Sequence, residues 1–199
     1  MLITHDELLV PFPSPLRPIR HARSTVLVGS IAVLRAGDRW DAYLKALPSV
    51  HEEVLLHAVA ATWISIDAAV AHYQTCDTLG FTPEQESTNG RGVYDHAGGT
   101  IFGTVTKMAR GVGVTPWTLF TQLQRFWARG YDGGGVSVRK LGPKEARIDV
   151  GESPLAESRY YRNALRGLVT AAAEMFCTKA YARELPRARA SVSYRVQWA

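Results

Sequence analysis

The run ARASVSYRVQW, residues 188–198, decides the fold class because its side chains alternate in character along its whole length. Small or apolar side chains occupy every second position, and arginine, serine or glutamine stands between them. A period of two places these two sets on opposite faces of a β-strand. One face of the strand therefore meets a core and the other meets solvent, which is typical of an antiparallel sheet covered on one side.

A second stretch supplies partner strands for that sheet. In GGGVSVRKLGPKEARIDV, residues 133–150, apolar and polar side chains alternate on both sides of a Leu-Gly-Pro-Lys turn. Two alternating segments joined by a short turn predict a β-hairpin.

Most of the remaining chain has the three- to four-residue apolar spacing of α-helices. Ser49 and Glu52 form a capping-box pattern at the start of the longest such segment. The glycine-rich residues 87–99 predict a loop, because glycine disfavours helices. The predicted helices cover residues 38–47, 49–80, 100–111, 115–129 and 153–176, a short one starts at Thr82-Pro83, and residues 25–37 fit a helix or a strand.

This order of elements predicts an α+β fold, with N-terminal helices followed by an antiparallel hairpin, a long helix and a C-terminal strand. The helices pack on one face of the antiparallel sheet. Residues 1–24 hold four of the ten prolines and predict an irregular N-terminal arm. Residues 25–199 predict a single α+β domain that binds a ligand or a partner.

Composition and cysteine usage predict a cytoplasmic protein. The hydrophobic fraction of 46% and the charged fraction of 21% are those of a globular chain. No apolar run approaches the roughly 18 residues of a membrane span, and the first residues lack a secretory pattern. Cys76 and Cys177 form no disulfide framework.

Charge is distributed unevenly between the two halves of the chain. Residues 1–104 carry 7 Lys and Arg against 11 Asp and Glu, whereas residues 105–199 carry 16 against 7. The basic half predicts either a solvated surface or contact with an anionic partner.

Signatures of catalysis are missing from the sequence. It contains no nucleophile elbow, phosphate-binding loop, zinc-protease helix or paired cysteines, so we predict no enzymatic activity and no metal site. His72 and Cys76 stand four apart on a predicted helix, a spacing that would place both beside a haem iron. Because no further ligands cluster with them, we predict a polar cluster at a helix end and no cofactor.

Residues 105–129 also match the helix-turn-helix template of DNA-binding proteins. The second predicted helix carries a polar face suited to purine edges, and the hairpin that follows it favours a core helix instead. A DNA-binding transcriptional regulator is therefore the alternative function. The candidates for partner or anion binding are Thr118, Gln122, Arg125 and Arg129 on that face, with Arg159, Arg162 and Arg166 on the next helix, where solvated arginines are the other interpretation.

Four segments carry a resemblance to known families: TPWTLFTQLQRFW, the hairpin, YYRNALRGLVTAAAEMF and ASVSYRVQW. Over roughly residues 25–198 the chain resembles a myxobacterial paralogous family of unestablished function. The order of its elements also resembles the four-vinyl-reductase and TRAPP-like fold. Relatives of the vinyl-reductase type carry cysteines before the last strand, and ARELPRARASVSY has none.

This resemblance implies a non-catalytic bacterial sensor or adaptor that takes part in signalling. Such a module binds an apolar small ligand between helices and sheet, or it binds a protein partner or a second copy. Nucleic acid is the less favoured partner. The candidates for a ligand pocket, each of which also fits a plain core position, are Trp63, His72, Tyr73, Cys76, Trp117, Phe120 and Phe126.

Overall fold

The computed structural model describes residues 6–58, 61–96, 114–186 and 188–199, with the backbone alone for residues 94–96. The strands are β1 (Glu7–Val10), β2 (His21–Arg23), β3 (Trp63–Ser65), β4 (Tyr131–Asp132), β5 (Gly135–Gly142), β6 (Glu145–Gly151), β7 (Ala180–Leu185) and β8 (Val192–Trp198). The α-helices are α1 (Ser24–Ala36), α2 (Trp40–Ala46), α3 (Ser49–Leu56), α4 (Ile66–Asp77), α5 (Pro83–His96), α6 (Pro116–Phe120), α7 (Leu123–Gly130) and α8 (Arg159–Glu174), and a 3-10 turn covers Pro154–Glu157.

The predicted α+β fold is confirmed. Five antiparallel strands form one sheet in the order β1-β5-β6-β8-β7, and three short strands form a second in the order β3-β2-β4. The predicted hairpin is β5 and β6, and the alternating C-terminal run is β8, which pairs with β6. Helices lie on one face of the larger sheet, where the inward valines, isoleucine and tyrosine of β5, β6 and β8 are at most 4% exposed.

The described residues form two adjoining cores. One lies between the larger sheet and helices α6, α7 and α8. The other lies among α1, α2, α3 and α4, and the start of α8 contributes Tyr160 and Tyr161 to it. Among the described helices, none combines the length and the apolar character that a membrane span requires.

The predicted helix over residues 49–80 is wrong as one continuous element. Helix α3 ends at Leu56, and β3 pairs with β2 before α4 begins at Ile66. Ala61 adopts a φ of 64°, in the left-handed region, which a continuous right-handed helix excludes. The side chain of Ser65 then accepts a hydrogen bond from the Asp67 amide and caps α4.

The predicted loop over residues 87–99 is wrong up to His96, because α5 continues to that residue. The start of this helix is confirmed, since Thr82 and Gln85 exchange capping hydrogen bonds of 2.9 and 3.3 Å. Its glycines allow neighbouring helices to approach: a Cβ at Gly90 would lie 1.8 Å from the carbonyl oxygen of Ala164. The predicted helix over 100–111 lies outside the described residues.

The predicted helix over residues 115–129 is divided into α6 and α7. The Thr121 hydroxyl donates to the carbonyl oxygens of Trp117 and Thr118, at 3.0 and 3.3 Å. A threonine that bonds back to the preceding turn competes with the helical ladder. The arm over 1–24 is also more regular than predicted, because it contributes β1 and β2 to the two sheets.

Candidate ligand cavity

A cavity of about 180 Å³ lies between the helical layer and the inner face of the five-stranded sheet. Helices α6, α7 and α8, with contributions from α1 and α5, form its walls on one side, and strands β4, β5, β6 and β8 contribute the rest. The helical wall consists of Thr25, Val26, Val93, Leu119, Phe120, Leu123, Phe126, Trp127, Gly130, Tyr161, Leu165, Leu168, Val169 and Ala172. The strand wall consists of Tyr131, Val136, Ile148, Val150 and Tyr194.

The apolar spacing of the sequence explains this lining. On α8, Leu165, Leu168, Val169 and Ala172 recur at helical spacing and face the same cavity. On the strands, the even-numbered side chains of the alternating runs point toward the helices. Both patterns were recognised in the sequence, but neither shows that the two layers leave a space between them.

Hydroxyl groups are the main polar atoms of the described lining. The Tyr194 hydroxyl donates to the carbonyl oxygen of Arg162 at 2.6 Å. The Tyr161 hydroxyl is buried, and the hydroxyls of Tyr131 and Ser153 lie beside it without completing a hydrogen bond of good geometry. Burial raises the pKa of Tyr161 to about 12, so this phenol stays protonated at neutral pH.

Two of the seven predicted pocket residues, Phe120 and Phe126, line the cavity. Trp117 packs edge-on against Trp198, with ring centroids 4.9 Å apart, and donates its indole N–H to the carbonyl oxygen of Pro143. Trp63 is 43% exposed and stacks under the Arg23 guanidinium at 4.1 Å. Neither tryptophan is among the described cavity walls.

The other three predicted pocket residues, His72, Tyr73 and Cys76, lie in the second core on α4. The ring nitrogens of His72 are 2.9 Å from the Tyr43 hydroxyl and 2.9 Å from the Ser30 hydroxyl. Burial lowers the pKa of His72 to about 3. With both nitrogens engaged, the imidazole has no lone pair left for a metal ion. Burial also raises the pKa of the Cys76 thiol, which keeps it unreactive.

The polar residues of the proposed helix-turn-helix lie on the two short helices. Thr118 forms a capping box with Thr115, and Arg125 donates to the Gln122 side chain at 3.1 Å. Arg125 and Arg129 are exposed on α7. The division between α6 and α7 leaves no continuous helix over 115–129 to enter a groove, and residues 105–113 lie outside the described part of the chain.

The arginines of α8 bind groups within the chain itself. Arg159 lies 2.8 Å from a buried carboxylate oxygen of Glu86. Arg162 lies 3.0 Å from Glu184. Arg166 donates to the carbonyl oxygen of Pro83 at 3.3 Å. These contacts tie α8 to α5 and β7, so the three guanidinium groups do not form one open anion site.

No family model and no curated protein matches the chain. Solved structures match its fold. One comes from a study of the modulation of haem redox potential through protein-induced porphyrin distortion. It gives a TM-score of 0.57 at 14% sequence identity, and the alignment covers 88% of this chain and 99% of that structure. A mutant H-NOX of T. tengcongensis gives a TM-score of 0.55 at 13% identity, and the alignment covers 88% of this chain and 97% of that structure. An oxygen-binding H-NOX domain related to soluble guanylate cyclases gives a TM-score of 0.55 at 13% identity, and the alignment covers 88% of this chain and 94% of that structure.

These structures correct two predictions. The resemblance to the myxobacterial family and to the four-vinyl-reductase and TRAPP-like fold is wrong, because the matched structures are H-NOX domains. The prediction of no cofactor is also wrong for this fold, because matched structures were determined to study the distortion of their haem. The missing sequence motifs were a poor guide because haem binding needs few fixed residues around an apolar space.

Haem iron is held by an axial ligand from the protein, such as His, Cys, Met or Tyr. The described cavity lining contains no histidine, cysteine or methionine. Tyrosine is an iron ligand as phenolate, but burial raises the pKa of Tyr131, Tyr161 and Tyr194 and opposes that form. The side chain of His96 at the end of α5 and residues 97–113, AGGTIFGTVTKMARGVG, which contain Met108, lie outside the described part.

The volume of the cavity is also too small for haem. About 180 Å³ is below the roughly 300–1,000 Å³ of sites for drug-sized ligands and cofactors. Among the described residues, no group of three or more His, Cys, Asp or Glu side chains is placed to hold a metal ion. The chain thus has the fold of H-NOX domains around a cavity whose described residues do not fit haem.

Proposed function

We propose that this chain is a non-catalytic sensor domain that binds a small apolar molecule in the cavity between α8 and the five-stranded sheet. The observation that carries the proposal is a partly open apolar cavity between the layers of a fold shared with H-NOX domains. The described lining contains no Asp, Glu, Lys, His or Cys side chain to act as general base or nucleophile. Binding is therefore the role that these walls support.

The size of the cavity limits the ligand to about one substituted aromatic ring. An engineered cavity of about 150 Å³ lined by Leu, Ile and Phe stays dry and binds benzene or xenon. The present cavity, at about 180 Å³, is slightly larger and has similar walls. A ring with one small polar substituent fills such a space.

Tyr161 suggests where the polar substituent lies. Its hydroxyl is buried, and its contacts with the Tyr131 and Ser153 hydroxyls are poorly aligned, so part of the roughly 1–3 kcal/mol that an unsatisfied buried hydroxyl costs remains. A ligand that offers one hydrogen-bonding group to Tyr161 recovers part of this cost. The proposed ligand class is therefore an apolar ring with a single hydroxyl, carbonyl or N–H group, for which indole and p-cresol are suitable probes.

Thermal unfolding in the presence of indole or p-cresol tests the proposal. Ligand at ten times its Kd stabilises the folded state by about 1.4 kcal/mol, which corresponds to a rise in Tm of about 3–6 °C for a chain of this size. Leu168→Phe places a ring in the cavity and should abolish the rise. Leu8→Phe makes the same change at a side chain that is 48% exposed on β1 and should preserve it.

Two outcomes contradict the proposal. Equal shifts in both variants would place the probe outside the cavity. Stoichiometric uptake of added haemin, with a sharp Soret band that Leu168→Phe removes, would show that the cavity opens to hold haem.

A further inference from the structure

The outer face of the five-stranded sheet carries a row of four arginines. Arg139 on β5 is paired with Arg147 on β6, Arg147 with Arg195 on β8, and Arg195 with Arg183 on β7. Directly opposed residues of antiparallel strands point to the same face about 4.5–5.5 Å apart. The four side chains therefore form one line across the strands, which we call the arginine row.

Like charges placed opposite each other destabilise a sheet, so this arrangement is unusual for a purely structural face. Two carboxylates on the same strands partly offset the repulsion between the arginines. Asp149 lies 2.8 Å from the Nε of Arg147, and Glu145 pairs with the Nε of Arg195. Both pairs use the Nε of the guanidinium, and the side chains of Arg147 and Arg195 remain 42% and 36% exposed.

The two ends of the row are not neutralised in this way. Within the described residues, Arg139 and Arg183 have no carboxylate at ion-pair distance. Each end also carries an exposed apolar side chain on the same face. Leu8, opposite Arg139, is 48% exposed, and Tyr181, two residues from Arg183, is 64% exposed.

We propose that the arginine row is the docking surface for an acidic amphipathic helix of a protein partner. Adjacent strands lie about 4.8 Å apart, so the row spans about 14 Å in steps of about 4.8 Å. Carboxylates at i, i+3, i+7 and i+10 of a helix are displaced by about 4.5, 10.5 and 15 Å along its axis. The two periods match over four positions, and apolar side chains flanking the acidic stripe meet Leu8 and Tyr181.

A nucleic-acid strand fits this face less well. Its backbone carries a charge at each step of about 3.4 Å, which does not match the step of about 4.8 Å between neighbouring arginines of the row. Single-stranded nucleic acids also need several aromatic stacking platforms, and Tyr181 is the exposed ring on the described part of this face. An acidic helix is therefore the partner that the row favours.

Fluorescence anisotropy with labelled peptides tests this proposal in the full chain. One helical peptide carries Glu at i, i+3, i+7 and i+10 between two leucines, and a second has the same composition with the glutamates on all faces. We expect the striped peptide to bind about 5-fold or more tightly than the second. The double variant Arg139→Gln with Arg183→Gln should bind the striped peptide more weakly by about 5-fold or more. Higher salt should also weaken this binding.

The matched control is Arg125→Gln with Arg129→Gln, which removes the same charge from α7 and should change the affinity less than about 2-fold. Thermal unfolding checks that both double variants fold. Equal weakening by the two double variants would overturn the proposal, because net charge alone would then explain binding. Binding of an oligothymidylate that depends on Arg139 and Arg183, without binding of the striped peptide, would replace it with a nucleic-acid site.

Discussion

His72 shows how little a residue type says about its role without its surroundings. Its spacing from Cys76 suggested a pair of iron ligands, and the structure places both in the second core, away from the cavity. The Tyr43 and Ser30 hydroxyls, each 2.9 Å from a ring nitrogen, hold the imidazole in place. The sequence predicts that His72 and Cys76 share a helix face, but the partners come from α1 and α2, far away along the chain.

Acid should destabilise the protein through His72. Burial lowers its pKa from 6.5 to about 3, so between these values the unfolded chain takes up a proton that the folded chain does not. The free energy of unfolding therefore falls as the pH decreases from about 6.5 toward 3, by at most about 4 kcal/mol from this group. Urea unfolding at pH 7, 5.5 and 4.5 measures the effect.

The variant His72→Gln should lose stability at pH 7, because two buried hydroxyls lose their partner, and should depend less steeply on pH below 6.5. His57→Gln, which removes an exposed imidazole, controls for the loss of one histidine. Parallel pH curves for the wild type and His72→Gln would rule out this role of the buried imidazole.

At the scale of elements, the sequence predicts strands better than helix boundaries. Alternation identified β5, β6 and β8, because each has one apolar, buried face and one mainly polar face. Strand β7 was missed because its inward positions include Glu184, which pairs with Arg162, where an apolar residue would complete the pattern. The continuation of helix α5 from residue 87 to residue 96 was missed because the glycines of residues 87–99 were interpreted through helix propensity alone.

Packing explains why glycine is required within α5. A Cβ at Gly90 would lie 1.8 Å from the Ala164 carbonyl oxygen of α8, and backbone atoms have little freedom to move away. A Cβ at Gly92 would lie 3.3 Å from a Val33 methyl group, which a side-chain shift relieves. Tertiary contact thus outweighs the helix propensity of glycine at the first position.

Alanine substitutions separate the two glycines. Gly90→Ala should cost about 3 kcal/mol or more, because α5 and α8 must move apart. Gly92→Ala should change stability by no more than about 1 kcal/mol, because the helical propensity of alanine offsets a small shift of Val33. Denaturant midpoints measure both. A comparable loss in the two variants would mean that the close contact at Gly90 does not limit the packing of these helices.

At the scale of the whole molecule, the sequence predicts the fold class and misses the fold. The helical spacing and the two-residue alternation of apolar side chains together predict that helices cover a sheet. The alternation also indicates which strand faces are buried. Strand order, the small second sheet and the space under α8 depend on contacts between distant segments. At 13 to 14% identity, the likeness to H-NOX domains is visible only in three dimensions.

The same limit applied to the cavity. Phe120 and Phe126 were predicted for a pocket and line it, while the strand residues that complete it were assigned only to a core. A core position and a cavity wall have the same sequence pattern, because both require apolar side chains on an inward face. The difference between them is whether opposing side chains meet, which is a property of the assembled layers.

A crystal of the protein under xenon pressure tests the central claim most directly. Xenon binds in dry apolar cavities and is located by its anomalous scattering. We expect a strong peak inside the cavity between Leu168, Val150 and Phe126, and no peak there in Leu168→Phe. An empty cavity at pressures that fill other sites, or haem density in that space, would contradict a sensor domain built around a small apolar ligand.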